Sequence, residues 1–186
     1  MTDRLLLREW HAGDVDRLVQ IHDHPDVARM LGRLTRADAA ATIDRYSRHW
    51  ELEGFGRFAV EDRASGRLVG RVGLMRQEEW TLTPENVEVG WTIDRSRWGE
   101  GLATEAALAA IADGFARAGL DRVLSWTLPH NAASRRVMEK CGLEPQGTAV
   151  WKGLEHVWYS VTAGVLPSGQ TRLSPDRSES GSDPTV

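Results

Sequence analysis

A strand, a glycine-containing loop and a helix follow one another between residues 87 and 119, and this order most narrows what the chain can fold into. Apolar side chains alternate strictly from Val87 to Ile93, as in a strand with one face in the core. From Thr104 to Arg117 they recur at helical spacing instead. This succession predicts a layered α/β domain with helices packed on a sheet.

The remaining elements extend this architecture. Further helices are predicted to begin after Asp14, at Thr35 and at Asn131. Alternation and β-branched residues predict further strands at residues 4–10, 58–61, 68–74, 122–127, 150–151 and 157–161. The predicted order is βααβββαβαββ, an α/β (α+β) fold with a mixed central sheet of about seven strands flanked by four helices.

The length and the C-terminal composition predict one domain and a tail. The 186 residues suffice for a single core, and no repeat or linker divides residues 1–166. Residues 167–186 hold three Pro, five Ser and two Gly with almost nothing to bury. We therefore expect a single domain over residues 1–166 and a disordered tail over residues 167–186.

Charge and cysteine content exclude several classes of partner. With 23 Lys and Arg against 27 Asp and Glu, the chain has no global positive field for nucleic acid or an anionic membrane. Cys141 stands alone, which rules out an internal disulfide and a cysteine-rich zinc site. Neither a signal-peptide core nor an apolar run of membrane-spanning length is present. We expect an unprocessed, soluble cytoplasmic protein that binds neither nucleic acid nor membrane.

The loop before the helix at Thr104 has the features of an anion site. Backbone amides at a helix N-terminus are unpaired, and Gly99 and Gly101 would let a phosphate approach the main chain closely. A loop whose glycines only turn the chain is the alternative. A dinucleotide fingerprint matches poorly because Thr104 stands where its third glycine should be, and no Lys-Ser or Lys-Thr pair completes a P-loop.

Three sequence blocks occur in a fixed order. They are Arg4–Arg8, then Glu88–Trp91 leading to Gly99–Ala106, and finally Asn131–Gly142. In this order and spacing they resemble the GNAT superfamily of N-acetyltransferases, specifically the branch that contains the ribosomal-protein N-terminal acetyltransferases RimJ and RimL. The resemblance spans nearly all of residues 3–162.

This resemblance implies transfer of an acetyl group from acetyl-CoA to a primary amine by direct attack in a ternary complex, without a metal. The acceptor would be a protein N-terminus or a small-molecule amine. A homodimer is one possible oligomeric state of the enzyme. An oxyanion would be stabilised by the backbone amide near Ile93. The residues implied in cofactor binding are Trp91, Thr92 and Ile93 on the strand, Trp98, Gly99, Glu100, Gly101, Leu102, Ala103 and Thr104 in the loop, and Asn131.

Glu88 and Ser134 are the candidate catalytic residues. Glu88 lies on the strand that would meet the cofactor and could accept the proton of the amine; pairing with an arginine is the alternative. Many GNAT enzymes carry a thiolate-protonating Tyr where this chain has Met138, whereas RimL-like members have a Ser at the position of Ser134. Ser134 is thus the candidate acid, and Tyr159 is a less favoured one. A backbone-bonding role for Ser134 and an N-cap role for Asn131 are the structural alternatives.

Three further expectations follow. The alternative function is a non-catalytic acyl-CoA-binding module, with Met138 marking lost chemistry. Of the eight tryptophans, Trp91, Trp98 and Trp126 are predicted to cluster as packing residues at the cofactor strands and loop. Cys141, beside a helix-ending Gly142, is predicted to pack rather than to carry an acyl group.

Overall fold

The computed structural model describes residues 1–164. The predicted tail at residues 167–186 and the last two residues of the predicted domain lie outside this part of the chain. The strands are β1 Leu5–Arg8, β2 Arg57–Asp62, β3 Arg67–Arg76, β4 Val87–Ile93, β5 Arg122–Thr127, β6 Glu144–Trp151 and β7 Leu154–Thr162. The α-helices are α1 Val15–Asp23, α2 Pro25–Leu31, α3 Arg36–Glu53, α4 Leu102–Ala116 and α5 Ala132–Lys140.

The strands form one mixed sheet in the order β1-β2-β3-β4-β5-β7-β6, which confirms the predicted fold class. Every neighbouring pair is antiparallel except β4 and β5, which run parallel. These two central strands are paired only where Glu88 meets Leu124. Towards their C-terminal ends the pairing stops, and this gap opens the middle of the sheet.

Five α-helices are present in residues 1–164, not the four expected, and the extra one is α2. Pro25 is its first residue. A proline disfavours helical backbone angles in the residue before it, and His24 accordingly has φ −62° and ψ 129°. The chain therefore leaves α1 at Asp23 and turns before it enters α2, which places α2 beside the gap in the sheet.

Hydrophobic cores cover both faces of the sheet. On one face, α4 packs on β3 and β4 around Leu74, Val89 and Ile111. On the other, α1 and α3 enclose a smaller core that includes Leu18 and Tyr46. None of the helices within residues 1–164 combines the length and apolarity needed to cross a membrane.

A third cluster contains four tryptophans on the β5–β7–β6 side. Trp80 and Trp126 stack with ring centroids 4.5 Å apart and an interplanar angle of 1°. Trp151 packs against both rings, and Trp158 meets Trp80 edge to face at 5.5 Å. Thus Trp126 belongs to this cluster, which we call the tryptophan cluster, and it does not pack with Trp91 as the sequence had suggested.

Candidate active site

A cleft of about 650 Å³ occupies the gap between β4 and β5. The N-terminus of α4, the helix α5 and part of α2 complete its walls. Of the predicted cofactor-binding residues, Glu100 alone is absent from the lining; its carboxylate pairs with Arg97 at 2.8 Å. The predicted residues that line the cleft are Glu88, Trp91, Thr92, Ile93, Trp98, Gly99, Gly101, Leu102, Ala103, Thr104, Asn131 and Ser134.

The loop before α4 presents bare backbone to the cleft. Gly99 and Gly101 have φ of 85° and 80°, in the left-handed region that favours glycine. Gly101 is the N-cap of α4, and no side chain caps the helix there. Beside Gly99, no protein atom lies within 4 Å of the point where a Cβ would stand. The first amides of α4 and the positive end of its dipole are therefore open to an anionic group.

Basic side chains that sequence reasoning missed lie on the same cleft. Arg136 and Lys140 line it from α5, and both are exposed. Their i, i+4 spacing places them on one helix face, a signal that could have drawn attention to them. By contrast, the nearby Arg97 is already paired with Asp62 at 3.0 Å. The cleft thus offers two cations beside the open amides of α4.

Glu88 is held by a buried arginine. Arg57 is only 4% exposed, and its Nη2 donates to Glu88 Oε2 at 2.7 Å. The Nε2 of Gln77 donates to the same oxygen at 2.7 Å, which leaves Oε1 free of both donors. Burial lowers the pKa of the Arg57 guanidinium, and the charge of Glu88 opposes that shift. The predicted arginine pairing of Glu88 is confirmed, and Glu88 is also among the residues that line the cleft.

Gly90 makes room for this ion pair. A Cβ at Gly90 would lie 2.8 Å from Nη2 and 3.0 Å from Cζ of Arg57. We expect Gly90→Ala to displace the guanidinium from Glu88 and to lower the free energy of unfolding by about 1–3 kcal/mol. Urea denaturation measures this change. Gly13→Ala is the matched control because nothing lies within 4 Å of a Cβ there; equal stability losses in the two variants would contradict the argument.

Asn131 and Ser134 form a bonded pair at the start of α5. Oδ1 of Asn131 accepts from the Ser134 amide at 3.2 Å, so the predicted N-cap role is confirmed. Its Nδ2 donates to Ser134 Oγ at 3.0 Å and to Thr127 Oγ1 at 2.8 Å. Since Ser134 Oγ accepts this bond, its own proton stays available to a partner in the cleft.

Two other lining residues bear on ligand binding and catalysis. Met138 is 1% exposed and lines the cleft from α5. The hydroxyl of Thr92 is buried without a hydrogen-bonding partner although the residue lines the cleft. Tyr159 is absent from the lining; its hydroxyl accepts from Arg135 Nε at 3.2 Å. A ligand along β4 would satisfy the Thr92 hydroxyl.

Cys141 is fully buried, with Sγ 3.8 Å from the Thr104 carbonyl oxygen. Burial raises the pKa of this thiol to about 12, because a thiolate would be poorly solvated there. We expect it to resist a disulfide reagent such as dithionitrobenzoate at pH 8, and one equivalent to react after unfolding in guanidinium. With one cysteine in the sequence, absorbance reports Cys141 alone. Rapid reaction of the native protein would contradict this burial.

Within residues 1–164, no group of three or more His, Cys, Asp or Glu side chains is placed to hold a metal ion. The cleft can support the chemistry of a carboxylate, a hydroxyl and backbone amides around a bound anionic ligand. Glu88 on β4 and Ser134 on α5 both line the cleft, and the amides at the start of α4 form the candidate anion site.

Several known proteins are similar to this chain in sequence. The family model described as "Acetyltransferase (GNAT) domain" matches residues 4–144. The uncharacterised N-acetyltransferase p20 of Bacillus licheniformis is 26% identical over 151 residues, covering 78% of this chain and 82% of p20. The uncharacterised N-acetyltransferase YoaA of Bacillus subtilis is 25% identical over 149 residues, with the same coverage of both chains.

Solved structures share the fold. An acetyltransferase of the GNAT family from Bacillus anthracis has a TM-score of 0.73 and 24% identity, covering 87% of this chain and 96% of its own. A candidate ribosomal-protein-serine acetyltransferase from Vibrio cholerae has a TM-score of 0.72 and 22% identity, and the match covers 87% of this chain and 95% of that one. The aminoglycoside acetyltransferase AAC(6')-Ib, in complex with coenzyme A and kanamycin, has a TM-score of 0.73 and 18% identity. The match covers 86% of this chain and 95% of that one.

Proposed function

Because the chain belongs to the GNAT acetyltransferase family, we propose that it transfers the acetyl group of acetyl-CoA to a primary amine by direct attack in a ternary complex. The observation that carries this proposal is the divergence of β4 and β5 after the single pair of Glu88 with Leu124. It leaves backbone groups of both strands unpaired along a cleft that also holds a carboxylate and an open helix N-terminus.

The residues present fit a coenzyme A site. Acetyl-CoA supplies an acetyl group activated as a thioester. The amides from Gly99 to Thr104 bind its pyrophosphate at the positive end of α4, and Arg136 and Lys140 add positive charge. Trp91, Thr92 and Ile93 on β4 lie along the pantetheine arm, where the unpartnered Thr92 hydroxyl gains a hydrogen bond. Trp98 and Asn131 line the same cleft.

Glu88 is the proposed general base. The attacking nitrogen must be neutral, so the acceptor ammonium has to lose a proton before or during attack. Oε2 of Glu88 is occupied by Arg57 and Gln77, while Oε1 is free of both. Glu88 therefore takes the proton on Oε1, directly or through a water. Arg57 does not touch the reacting atoms and positions the carboxylate.

Ser134 is the proposed acid, and the Ile93 amide is the proposed oxyanion donor. Asn131 Nδ2 donates to Ser134 Oγ, which orients the hydroxyl and leaves its proton for the departing sulfur. Met138 carries no proton to donate and Tyr159 is absent from the cleft lining, so Ser134 is favoured over both. The amide of Ile93 meets the acyl oxygen where negative charge develops.

A thiol-release assay with acetyl-CoA and a panel of amines, run beside calorimetry with CoA, tests this function. Thiol release that depends on an amine, together with CoA binding, supports the acetyltransferase. CoA binding without turnover on any amine would favour the alternative, an acyl-CoA-binding module. Absence of CoA binding would overturn both.

Finer assignments are also part of the proposal. The three sequence blocks favour the RimJ/RimL-like branch, and the fold shared with the Vibrio cholerae candidate ribosomal-protein-serine acetyltransferase is compatible with it. We place the acetyltransferase domain at residues 1–166 and the enzyme in the cytoplasm, where a lone buried thiol would stay reduced.

A further inference from the structure

We propose that the acceptor is a monoamine carrying a flat aromatic group, and that this group binds against the cleft side of the tryptophan cluster. The inference rests on the proposed acetyl transfer and adds the chemical class of the acceptor. It follows from two separate observations: the charge of the cleft lining and the aromatic wall beside Glu88.

The cleft lining does not suit an acceptor with several positive charges. Within residues 1–164, Glu88 is the single acidic side chain that lines it, and its Oε2 already serves Arg57. Arg71 lines the same cleft, and its β3 position pairs with Thr92 of β4, so its side chain lies on the Glu88 side of the sheet. A polyamine or aminoglycoside would bring additional cations beside Arg71 with no carboxylate to receive them. One amine, directed at Glu88, fits the charge.

The aromatic wall lies on the same side of the sheet as Glu88. Glu88 pairs with Leu124, and Trp126 is two residues further along β5, so the three side chains share a face. Trp126 and Trp151 line the cleft and form this aromatic wall. Trp80 is only 3% exposed and stacks on Trp126 from behind. This backing holds the wall rigid without occupying its cleft side.

Apolar side chains continue the wall and face it. Leu154 lines the cleft next to Trp151 and is 58% exposed. From α2, Met30 and Leu31 line the cleft and are 42% and 46% exposed. Large apolar side chains exposed in one cleft mark a ligand site. A flat ring between the α2 methionine and the tryptophans would bury surface that now faces solvent, and stacking on an indole favours an aromatic ring over a saturated one.

Kinetics with matched amines test the acceptor class. We expect kcat/KM for 2-phenylethylamine to exceed that for 2-cyclohexylethylamine about fivefold, the range of an aromatic pair beyond area burial. Against kanamycin and spermidine the preference should exceed about tenfold, since each extra unpaired charge is costly to desolvate. Equal or better turnover of either polycation, or no preference for the aromatic ring, would overturn the inference.

Two variants separate the wall from the packing behind it. Trp151→Leu should reduce the preference for 2-phenylethylamine over 2-cyclohexylethylamine to less than about twofold. Trp158→Leu is the control, because Trp158 belongs to the cluster without lining the cleft and should keep the preference. If Trp151→Leu does not fold, as judged by circular dichroism, Trp151→Phe replaces it and should retain part of the preference. An unchanged preference in the Trp151 variant would overturn the assigned wall.

A binding measurement keeps the inference separate from the proposed function. If no amine is acetylated, the acetyltransferase proposal fails. Calorimetry of the two amines against the protein saturated with CoA still decides the acceptor class. Tighter binding of 2-phenylethylamine supports the aromatic site, and equal or absent binding of the two overturns it.

Discussion

Replacing Glu88 by glutamine is expected to lower kcat about 100-fold, the contribution of a general base, while the Kd for CoA changes little. The amide oxygen of glutamine can still accept the bonds that Arg57 and Gln77 donate to Oε2 at 2.7 Å. It cannot take a proton from the acceptor. Steady-state kinetics with saturating amine, together with calorimetry of CoA, measures the two quantities separately.

Glu53→Gln provides the matched control for Glu88→Gln. Glu53 also pairs with an arginine, Arg76, at 2.9 Å, but it is absent from the lining of the cleft. The control therefore removes a carboxylate from an ion pair without touching the site. Full activity of Glu88→Gln across the pH range would rule out Glu88 as the base, and an equal loss in Glu53→Gln would attribute the effect to stability.

Gly101→Glu is expected to weaken CoA binding about 30-fold or more. A glutamate at φ 80° is strained, and its charge would stand at the N-terminus of α4, where the pyrophosphate is proposed to bind. The side chain would also occupy space into which the phosphate must move. Calorimetry of CoA with the variant and the wild type gives the ratio of Kd values directly.

Gly119→Glu is the matched control for Gly101→Glu, because it adds the same charge at another glycine with positive φ. Gly119 also has positive φ, 65°, and follows the opposite end of α4, with nothing within 4 Å of a Cβ. Because the strain and the added charge are alike, a loss of CoA affinity confined to Gly101→Glu assigns the effect to the anion site. Unchanged affinity in Gly101→Glu would refute that assignment.

Features specified by neighbouring residues were predictable from the sequence. Thr35 and Asp38 form the capping box at the start of α3, with both reciprocal bonds present. Asn131 caps α5, and the glycine loop leads directly into α4. In each case the signal and its structural outcome lie within a few residues, so local hydrogen bonding determines them. The alternating pattern of β4 was equally local.

Features that depend on distant residues were not predictable from one sequence. Arg57 precedes Glu88 by 31 residues, and the register of β2, β3 and β4 alone brings the two together. Trp91 pairs with Val72 on the α4 face of β4, whereas Trp126 shares the opposite face with Glu88. Two tryptophans on neighbouring strands are therefore not in contact unless their side chains lie on the same face of the sheet.

The single pair that joins β4 to β5 has a consequence for how the protein avoids unwanted association. A strand with free amides and carbonyls normally recruits other chains when it lies at the rim of a sheet. Here such free edges belong to the two central strands, with three further strands on one side and two on the other. Within residues 1–164, the sheet ends at β1 and β6, which are the edges that a neighbouring protein can meet. The unpaired edges of β4 and β5 lie inside the sheet, where a slender molecule can reach them through the cleft.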